Sequence, residues 1–353
     1  MRSWPRTGAM VRIACIVNLL GRDGRCGKAW PRIEALIQAE GMEYEVLFTE
    51  GPGHAAVLAA SLRERDDLDL VVAVGGDGTV HEVASGIRGS DRTLGIIPMG
   101  SGNDFARGHG IPLLDPEGSV PLLRSGVDRR VGAMAIDGRP APSLPHYPAP
   151  APTEWDGEAS EAGLVRRWAF LESDGGTTSA ISRAKTEGVF KWIRGTNKYT
   201  ALGIRAILGW KKQDAWLKID DEVIGRVDMS GLFTTISVET FGGGYRVAPG
   251  RVATDDDFHL VIAKGLSKLQ MLRLMGPLKK GRHVGMWGIT QQPAKRFEIR
   301  NIDANGEPTD APHDPPMYTQ ADGEPIFQTP TIVTWHSDQI TVRGKARIPN
   351  QLE

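Results

Sequence analysis

Leu70 to Gly86 reads L-V-V-A-V-G-G-D-G-T-V-H-E-V-A-S-G, and its passage from an unbroken apolar run through three glycines into a helical pattern decides the fold. Leu70 to Val74 shows no polar alternation, which is the pattern of a strand buried on both faces of a parallel sheet. Gly75, Gly76 and Gly78 let the backbone approach a ligand closely and take positive φ without steric cost. A helix opening near Thr79 adds unpaired N–H groups and the positive end of its dipole, so the turn is suited to polyphosphate. Thr79 and Glu82 also form the S/T-x-x-E capping pattern, which favours a helix cap over a direct role for Glu82 and lets Thr79 do both jobs. Asp77 stands apart: a carboxylate among phosphate-binding amides repels the ligand unless it serves Mg²⁺ or takes a proton from an attacking hydroxyl, the alternative being an Asx residue that stabilises the turn.

Working outward, the same alternation recurs. Ile13 to Val17 reads as a strand and Ala29 to Ala39 as a helix; Tyr44 to Phe48, His54 to Arg63, Val80 to Ile87 and Leu94 to Ile97 continue the series. Residues 11–135 are therefore expected to form an open, mostly parallel α/β sheet with flanking helices, whose ligands bind beyond the carboxyl ends of the strands. A second loop, Ile97 to Arg107 (I-P-M-G-S-G-N-D-F-A-R), again follows a strand and opens a helix. Gly100, Ser101, Gly102 and Asn103 supply small, hydrogen-bonding groups where a nucleotide could lie, although Asn103 or Asp104 alone would be an ordinary N-cap.

Residues 136–164 are rich in proline and alanine and then acidic, a composition that cannot bury enough apolar surface to fold alone, and are expected to be an insertion or linker. Beyond them, short apolar runs such as Leu232 to Val238, Phe258 to Ala263 and Ile332 to Val342 predict a β-rich, sandwich-like domain over 165–353, with one amphipathic helix near Lys268 to Leu278. The chain carries 42 basic and 43 acidic residues, so no global field would hold it on nucleic acid or an acidic bilayer. Its two cysteines, Cys15 and Cys26, make no disulfide framework and fit a reducing cytoplasm. No apolar stretch approaches the roughly 18 residues needed to cross a bilayer, and no signal peptide is expected.

The two glycine loops together, G-G-D-G-T at Gly75 followed by P-x-G-x-G-N-D-F-A-R at Pro98, resemble the catalytic-domain signature of the diacylglycerol and sphingosine kinase superfamily. Phosphofructokinases and NAD kinases share G-G-D-G-T but lack the G-N-D-F-A-R segment. Thr49 with Gly53, His54 and Ala55 is similar to the family's T-x-x-x-G-H-A, Gly242 to Pro249 to its glycine-rich segment, and Gln320 to Pro325 to its D-G-E motif. The resemblance implies an ATP-dependent lipid kinase with its active site in an interdomain cleft. It implies nucleotide contacts from Asn18, Thr49, Gly75, Gly76, Asp77, Gly78, Thr79, Val80, His81, Gly100, Ser101, Gly102, Asn103 and Lys198, and catalysis by Asp322 and Glu324 assisted by Asp77. A divalent-metal loop is implied at Val252, Asp255 and Asp257, with Mg²⁺ as the ion suited to hard oxygen ligands, an acidic surface turn being the alternative. Without the resemblance, Asp322-Gly323 would be read as a hairpin turn.

Two segments depart from the family. Its N-P-x-S-G-x-G loop is here Asn18-Leu19-Leu20-Gly21-Arg22-Asp23-Gly24, and its G-x-x-A-D segment is Gly175-Gly176-Thr177-Thr178-Ser179 without the aspartate. Asp174, with Asp104, is then the candidate for meeting the lipid head group. Diacylglycerol is the expected acceptor, with a sphingoid base or ceramide, a soluble acceptor such as NAD, and a nucleotide sensor without turnover as alternatives. A cytoplasmic enzyme touching the membrane peripherally during turnover is expected, with no nucleic-acid partner and the oligomeric state open, a homodimer included. Tyr199 to Lys212 combines apolar residues with terminal lysines and reads either as an interfacial helix or as one packed on the second domain.

Overall fold

The computed structural model describes residues 10–142, 164–190, 192, 196–229, 231–312 and 315–349, without the side chains of 196–199. The described residues form two compact units, 10–130 with 340–349, and those between 131 and 339. The closing segment thus returns to the first unit, and the second begins within a strand, Val127–Pro140, that crosses the boundary expected between 135 and 136.

In the first unit the order is β1 (Arg12–Val17), α1 (Arg25–Ala39), β2 (Glu43–Phe48), α2 (His54–Ser61), β3 (Leu70–Gly75), α3 (Asp77–Ile87), β4 (Thr93–Pro98) and α4 (Asp104–Gly108), then the short helices α5 (Pro116–Ser119) and α6 (Leu122–Ser125). The strands are parallel, in the order β2-β1-β3-β4. Every residue of β3 and β4 is buried, which explains their unalternated apolar runs. Ile13, Cys15 and Val17 pack with Leu70, Val72 and Val74 against Trp30, Ile33 and Ile37 of α1. Helices α2 and α3 lie against each other where Gly86 has no side chain: a Cβ there would meet the Ala56 carbonyl oxygen and the Ala59 Cβ, each at 2.5 Å. The chain leaves β1 toward β2 and returns past it to β3, so the strand order reverses between β1 and β3. In open α/β sheets such a switch opens a crevice at the carboxyl ends of the strands.

The second unit comprises most of β5 (Val127–Pro140), then β6 (Val165–Ala169), β7 (Glu172–Gly176), α7 (Thr177–Thr186), α8 (Thr196–Gly209), β8 (Asp214–Ile219), β9 (Glu222–Asp228), β10 (Leu232–Ile236), β11 (Phe258–Ala263), α9 (Lys268–Lys279), β12 (Ile289–Ala294), β13 (Arg296–Ile302), β14 (Pro308–Thr309), β15 (Tyr318–Ala321) and β16 (Glu324–Gly344). Antiparallel pairing runs β12-β11-β10-β7-β15-β16, with β16-β13-β8-β9 continuing beyond. Phe233, Phe258, Phe297, Phe327 and Trp335 dominate its core; the Phe233 and Phe297 rings lie 4.9 Å apart. Residues 137–140, expected within the insertion, instead extend β5: Asp137 pairs with Arg166 and Gly138 with Val165 of β6. Arg166 Nε donates to Asp137 Oδ1 at 2.7 Å across that pair, a cross-strand contact that proline-rich composition downstream does not reveal. Residues 143–163 of the expected insertion lie outside the described residues.

Candidate functional site

At the switch point, Asn18 closes β1. Its main-chain N–H donates to the Val74 carbonyl and its side-chain Nδ2 to Thr79 Oγ1, each at 3.1 Å. Thr79 sits so close beneath β3 that a Cβ on Gly75 would lie 2.4 Å from its hydroxyl. Gly76 and Gly100 touch backbone to backbone, since a Cβ on Gly100 would meet Gly76 Cα at 2.4 Å and Asn103 Oδ1 at 2.7 Å. Both glycine loops are therefore one object. Asn103 takes the left-handed conformation at φ 56°, which Asn tolerates better than most residues, and its amide brackets Gly100: Oδ1 accepts from Gly100 N at 2.8 Å while Nδ2 donates to Gly100 O at 2.9 Å.

Asp77 ties the loops together. Oδ2 accepts the Asn103 N–H at 2.7 Å and Oδ1 the Phe105 N–H at 3.3 Å, so the residue expected to serve metal or proton transfer also caps α4. The helix after the first loop begins at Asp77, two residues before the expected Thr79 start, and the Thr79/Glu82 capping pattern does not form. Thr79, inside the first turn, accepts from Asn18, and Glu82 Oε2 accepts from Ala55 N at 3.0 Å, capping α2 instead. Packing of α2 on α3 supplied a better donor than Glu82's own helix. Gly78 is exposed with nothing within 4 Å of its would-be Cβ, leaving the first turn of α3 open to a ligand. Val80 is buried and His81 half-buried in α3; Ser101 is exposed and Gly102 half-buried ahead of α4. Thr49 closes β2 with its N–H on the Val17 carbonyl. In the divergent loop, Arg22, Asp23 and Gly24 are all left-handed, and bonds from Gly21 N to Asn18 O and Cys26 N to Gly21 O hold it without the family's proline and serine.

In the second unit, Asp322 and Gly323 (φ 46° and 87°) make the two-residue turn joining β15 to β16, with Ala321 opposite Glu324. Two consecutive positive φ values suit the twist of a tight hairpin. The Asp322 carboxylate accepts the N–H groups of Phe170, Leu171 and Glu172, each at 2.9 Å, and so anchors the β6–β7 connection to the turn. Glu324, at the start of β16, is half-buried. The hairpin reading and the motif reading thus both describe Asp322.

Beneath this turn lies a pairing that sequence reasoning missed, in which Glu172 joins the expected Asp174. Glu172 and Asp174, both buried on β7, share one donor: Gln320 Nε2 reaches Glu172 Oε1 at 3.2 Å and Asp174 Oδ2 at 2.5 Å. Burial pushes the Asp174 carboxyl up to about 8. It lifts Glu172 well above the ordinary carboxylate range, with the Asp174 and Asp322 charges adding to the effect. The available signal was E-S-D, two acids at strand period flanking a small residue, legible only once β7 is known to be a central strand. Asp174, expected at a lipid head group, is wholly covered because β10 and β15 flank it. Asp104 is buried too, with Arg107 Nε 3.4 Å from its Oδ1.

The expected metal loop has a different cation. Arg251, fully buried, places Nη1 3.0 Å from Asp255 Oδ2 and 2.5 Å from Asp257 Oδ1, and its Nη2 donates to the carbonyls of both residues. Val252 N donates to Asp255 Oδ2 at 3.1 Å. With a guanidinium already on these oxygens, Val252, Asp255 and Asp257 do not fit a divalent ion, a correction to the expectation from resemblance. Among the described residues no cluster of three or more His, Cys, Asp or Glu side chains could hold a metal ion. The Lys198 side chain lies outside the described residues.

Comparison with known proteins finds relatives for both parts of the chain. The diacylglycerol kinase catalytic domain family matches residues 12–136, and the YegS C-terminal NAD kinase beta sandwich-like domain matches 176–344. The candidate lipid kinase YtlR of Bacillus subtilis (strain 168) is 36% identical over 277 residues, covering 76% of this chain and 82% of that protein. A diacylglycerol kinase of Mycobacterium tuberculosis is 23% identical over 304 residues, covering 84% and 88%. Among solved structures, a candidate diacylglycerol kinase from Bacillus anthracis str. Sterne superposes with a TM-score of 0.69 at 18% identity, over 95% of this chain and 97% of that one. The chain belongs to the diacylglycerol kinase catalytic-domain family of lipid kinases. It is a kinase, with ATP as co-substrate.

Proposed function

We propose that this enzyme transfers the γ-phosphate of ATP to the free hydroxyl of diacylglycerol. The observation that carries the reading is the fused pair of glycine loops, Gly76 on Gly100 pinned by Asp77, at the carboxyl ends of β3 and β4. The open turn at Gly78 and the start of α3 offer main-chain N–H groups to the phosphates, while Asn18 and Thr49 flank the crevice from β1 and β2. The choice of acceptor is supported by the diacylglycerol kinases among its relatives. Mg²⁺ carried by ATP would offset the phosphate charge; the Val252–Asp257 loop, with Arg251 on its carboxylates, is not assigned that ion.

The D-G-E segment divides its work. Asp322, with three N–H groups on its carboxylate, is a positioning residue that holds the hairpin. Glu324 accepts the hydroxyl proton as that oxygen bonds to the γ-phosphorus and the bond to the β-phosphate oxygen breaks. The test is transfer of radiolabelled γ-phosphate into a panel of lipids in mixed micelles, with wild type, Glu324→Gln and Asp322→Asn. Label in diacylglycerol that vanishes in Glu324→Gln is the expected result. Label in a sphingoid base or ceramide, or only in a soluble acceptor, would overturn the choice of substrate.

A further inference from the structure

Acidic and basic residues balance over the whole chain, but not locally. Residues 189–213 and 264–292, which include α8 and α9, carry twelve lysines and arginines and no aspartate or glutamate. The same two segments hold half of the exposed large hydrophobic residues among those described: Trp192, Ile204, Leu208, Leu269, Val284 and Trp287, out of twelve. Neither fact depends on the other.

The two helices are neighbours. A Cβ on Gly203 of α8 would lie 3.1 Å from Met275 Cε of α9, and Lys268 Nζ at the start of α9 donates to the Leu208 carbonyl at 2.5 Å. Leu202 and Ile207 of α8 and Met271 and Leu274 of α9 are buried against the unit. Packing therefore accounts for one side of each helix. It leaves Ile204 at 41%, Leu208 at 57% and Leu269 at 56% exposure, with Arg205, Lys211, Lys268, Arg273 and, at the end of α9, Lys280 also exposed. Lys212 is engaged with Asp228.

We propose that this face of α8 and α9 docks on an anionic lipid bilayer, with Leu208 and Leu269 entering the acyl boundary and the surrounding cations meeting lipid phosphates. Aliphatic side chains ringed by lysine and arginine are the chemistry of an interfacial helix surface, and the absence of any acid from the two segments reduces the local repulsion that anionic lipid would otherwise meet. A second copy of the chain fits poorly, because like-charged faces repel on apposition. The inference takes its purpose from the lipid-acceptor reading but stands on binding alone.

The experiment is sedimentation of the full chain with phosphatidylcholine vesicles and with vesicles containing phosphatidylglycerol, alongside light scattering without lipid. Two exposed-site variants, Leu208→Glu/Leu269→Glu and Lys211→Glu/Lys280→Glu, are compared, with thermal melts to confirm folding. Wild type should partition to the anionic vesicles only, and each variant should lose roughly tenfold or more of that affinity. Both variants should keep wild-type activity on lipid dispersed in detergent micelles while losing it on vesicles. Wild type failing to bind anionic vesicles, folded variants binding like wild type, or variants whose main effect is to abolish a dimer would each overturn the docking face. Anionic binding intact, with no label in any micellar lipid, would leave the face standing and sink the lipid-acceptor reading instead.

Discussion

Asp77 Oδ2 accepts the main-chain N–H of Asn103 at 2.7 Å, so the carboxylate of the first glycine loop fixes the backbone of the second. A residue at this position has to satisfy geometry before it can contribute charge. The Asp77→Asn variant keeps the size but can offer only one oxygen, turning an N–H₂ toward Asn103 or Phe105. We expect a stability loss of about 1–3 kcal/mol by urea titration together with at least a tenfold weaker ATP affinity by fluorescence titration. Unchanged stability would show that the loops are held together by something else.

Asp322 separates turn geometry from charge. Asparagine tolerates its left-handed conformation, whereas alanine both disfavours φ 46° and leaves the N–H groups of Phe170, Leu171 and Glu172 without their acceptor. Melting temperatures should therefore rank wild type above Asp322→Asn and Asp322→Ala lowest, with the alanine variant down by roughly 2–4 kcal/mol. Glu324→Gln, by contrast, should melt like wild type and lose turnover. Equal melting of the two Asp322 variants would contradict the anchoring role.

Two glycines of the loops predict opposite outcomes. Alanine at Gly100 would drive its Cβ into Gly76 Cα at 2.4 Å, a backbone contact that cannot be relieved by rotating a side chain, at a cost of about 1–3 kcal/mol. Alanine at Gly78 meets nothing within 4 Å and removes unfolded-state freedom, so that variant should be as stable as wild type or gain up to about 1 kcal/mol. Its ATP affinity should nonetheless fall several-fold, because the new methyl stands where phosphate approaches. Gly78→Ala binding ATP like wild type would move the phosphates off this turn.

The buried pair on β7 makes stability depend on pH. Asp174 holds its proton in the folded state up to about 8, against 3.8 for an ordinary aspartate. Below that ordinary value both states are protonated and the contribution is complete. As pH rises from there to about 8 the unfolded chain releases a proton that the folded chain keeps, so stability falls through this window, by at most about 1.4 kcal/mol per pH unit. Glu172 acts in the same direction. Urea midpoints between about pH 5.5 and about pH 8.5 should decline in wild type and stay flatter in Asp174→Asn, which should be the more stable protein at the alkaline end. A midpoint rising with pH would mean that Asp174 is ionised in the fold.

Leu70 to Val74, the glycines that follow and the second loop at Pro98 carried their meaning in the sequence, because an apolar run buried on both faces and a turn needing bare backbone are set by residues adjacent in the chain. The alternation of strand and helix gave the first domain for the same reason, and the runs beyond residue 165 gave the second. Partners were another matter. Glu82 caps α2 rather than its own helix, Asp322 gathers three N–H groups from residues 170–172, Arg251 neutralises the loop that resembled a metal site, and Glu172 and Asp174 share Gln320. Which amide, guanidinium or second carboxylate faces a given side chain depends on strand order and helix packing over separations of up to about 150 positions, which no local pattern encodes. The sequence by itself therefore determined which chemistry this chain can carry, and the tertiary structure decided which carboxylates are held as scaffold and which stay protonated inside it, because burial and pairing, not residue type, set those states.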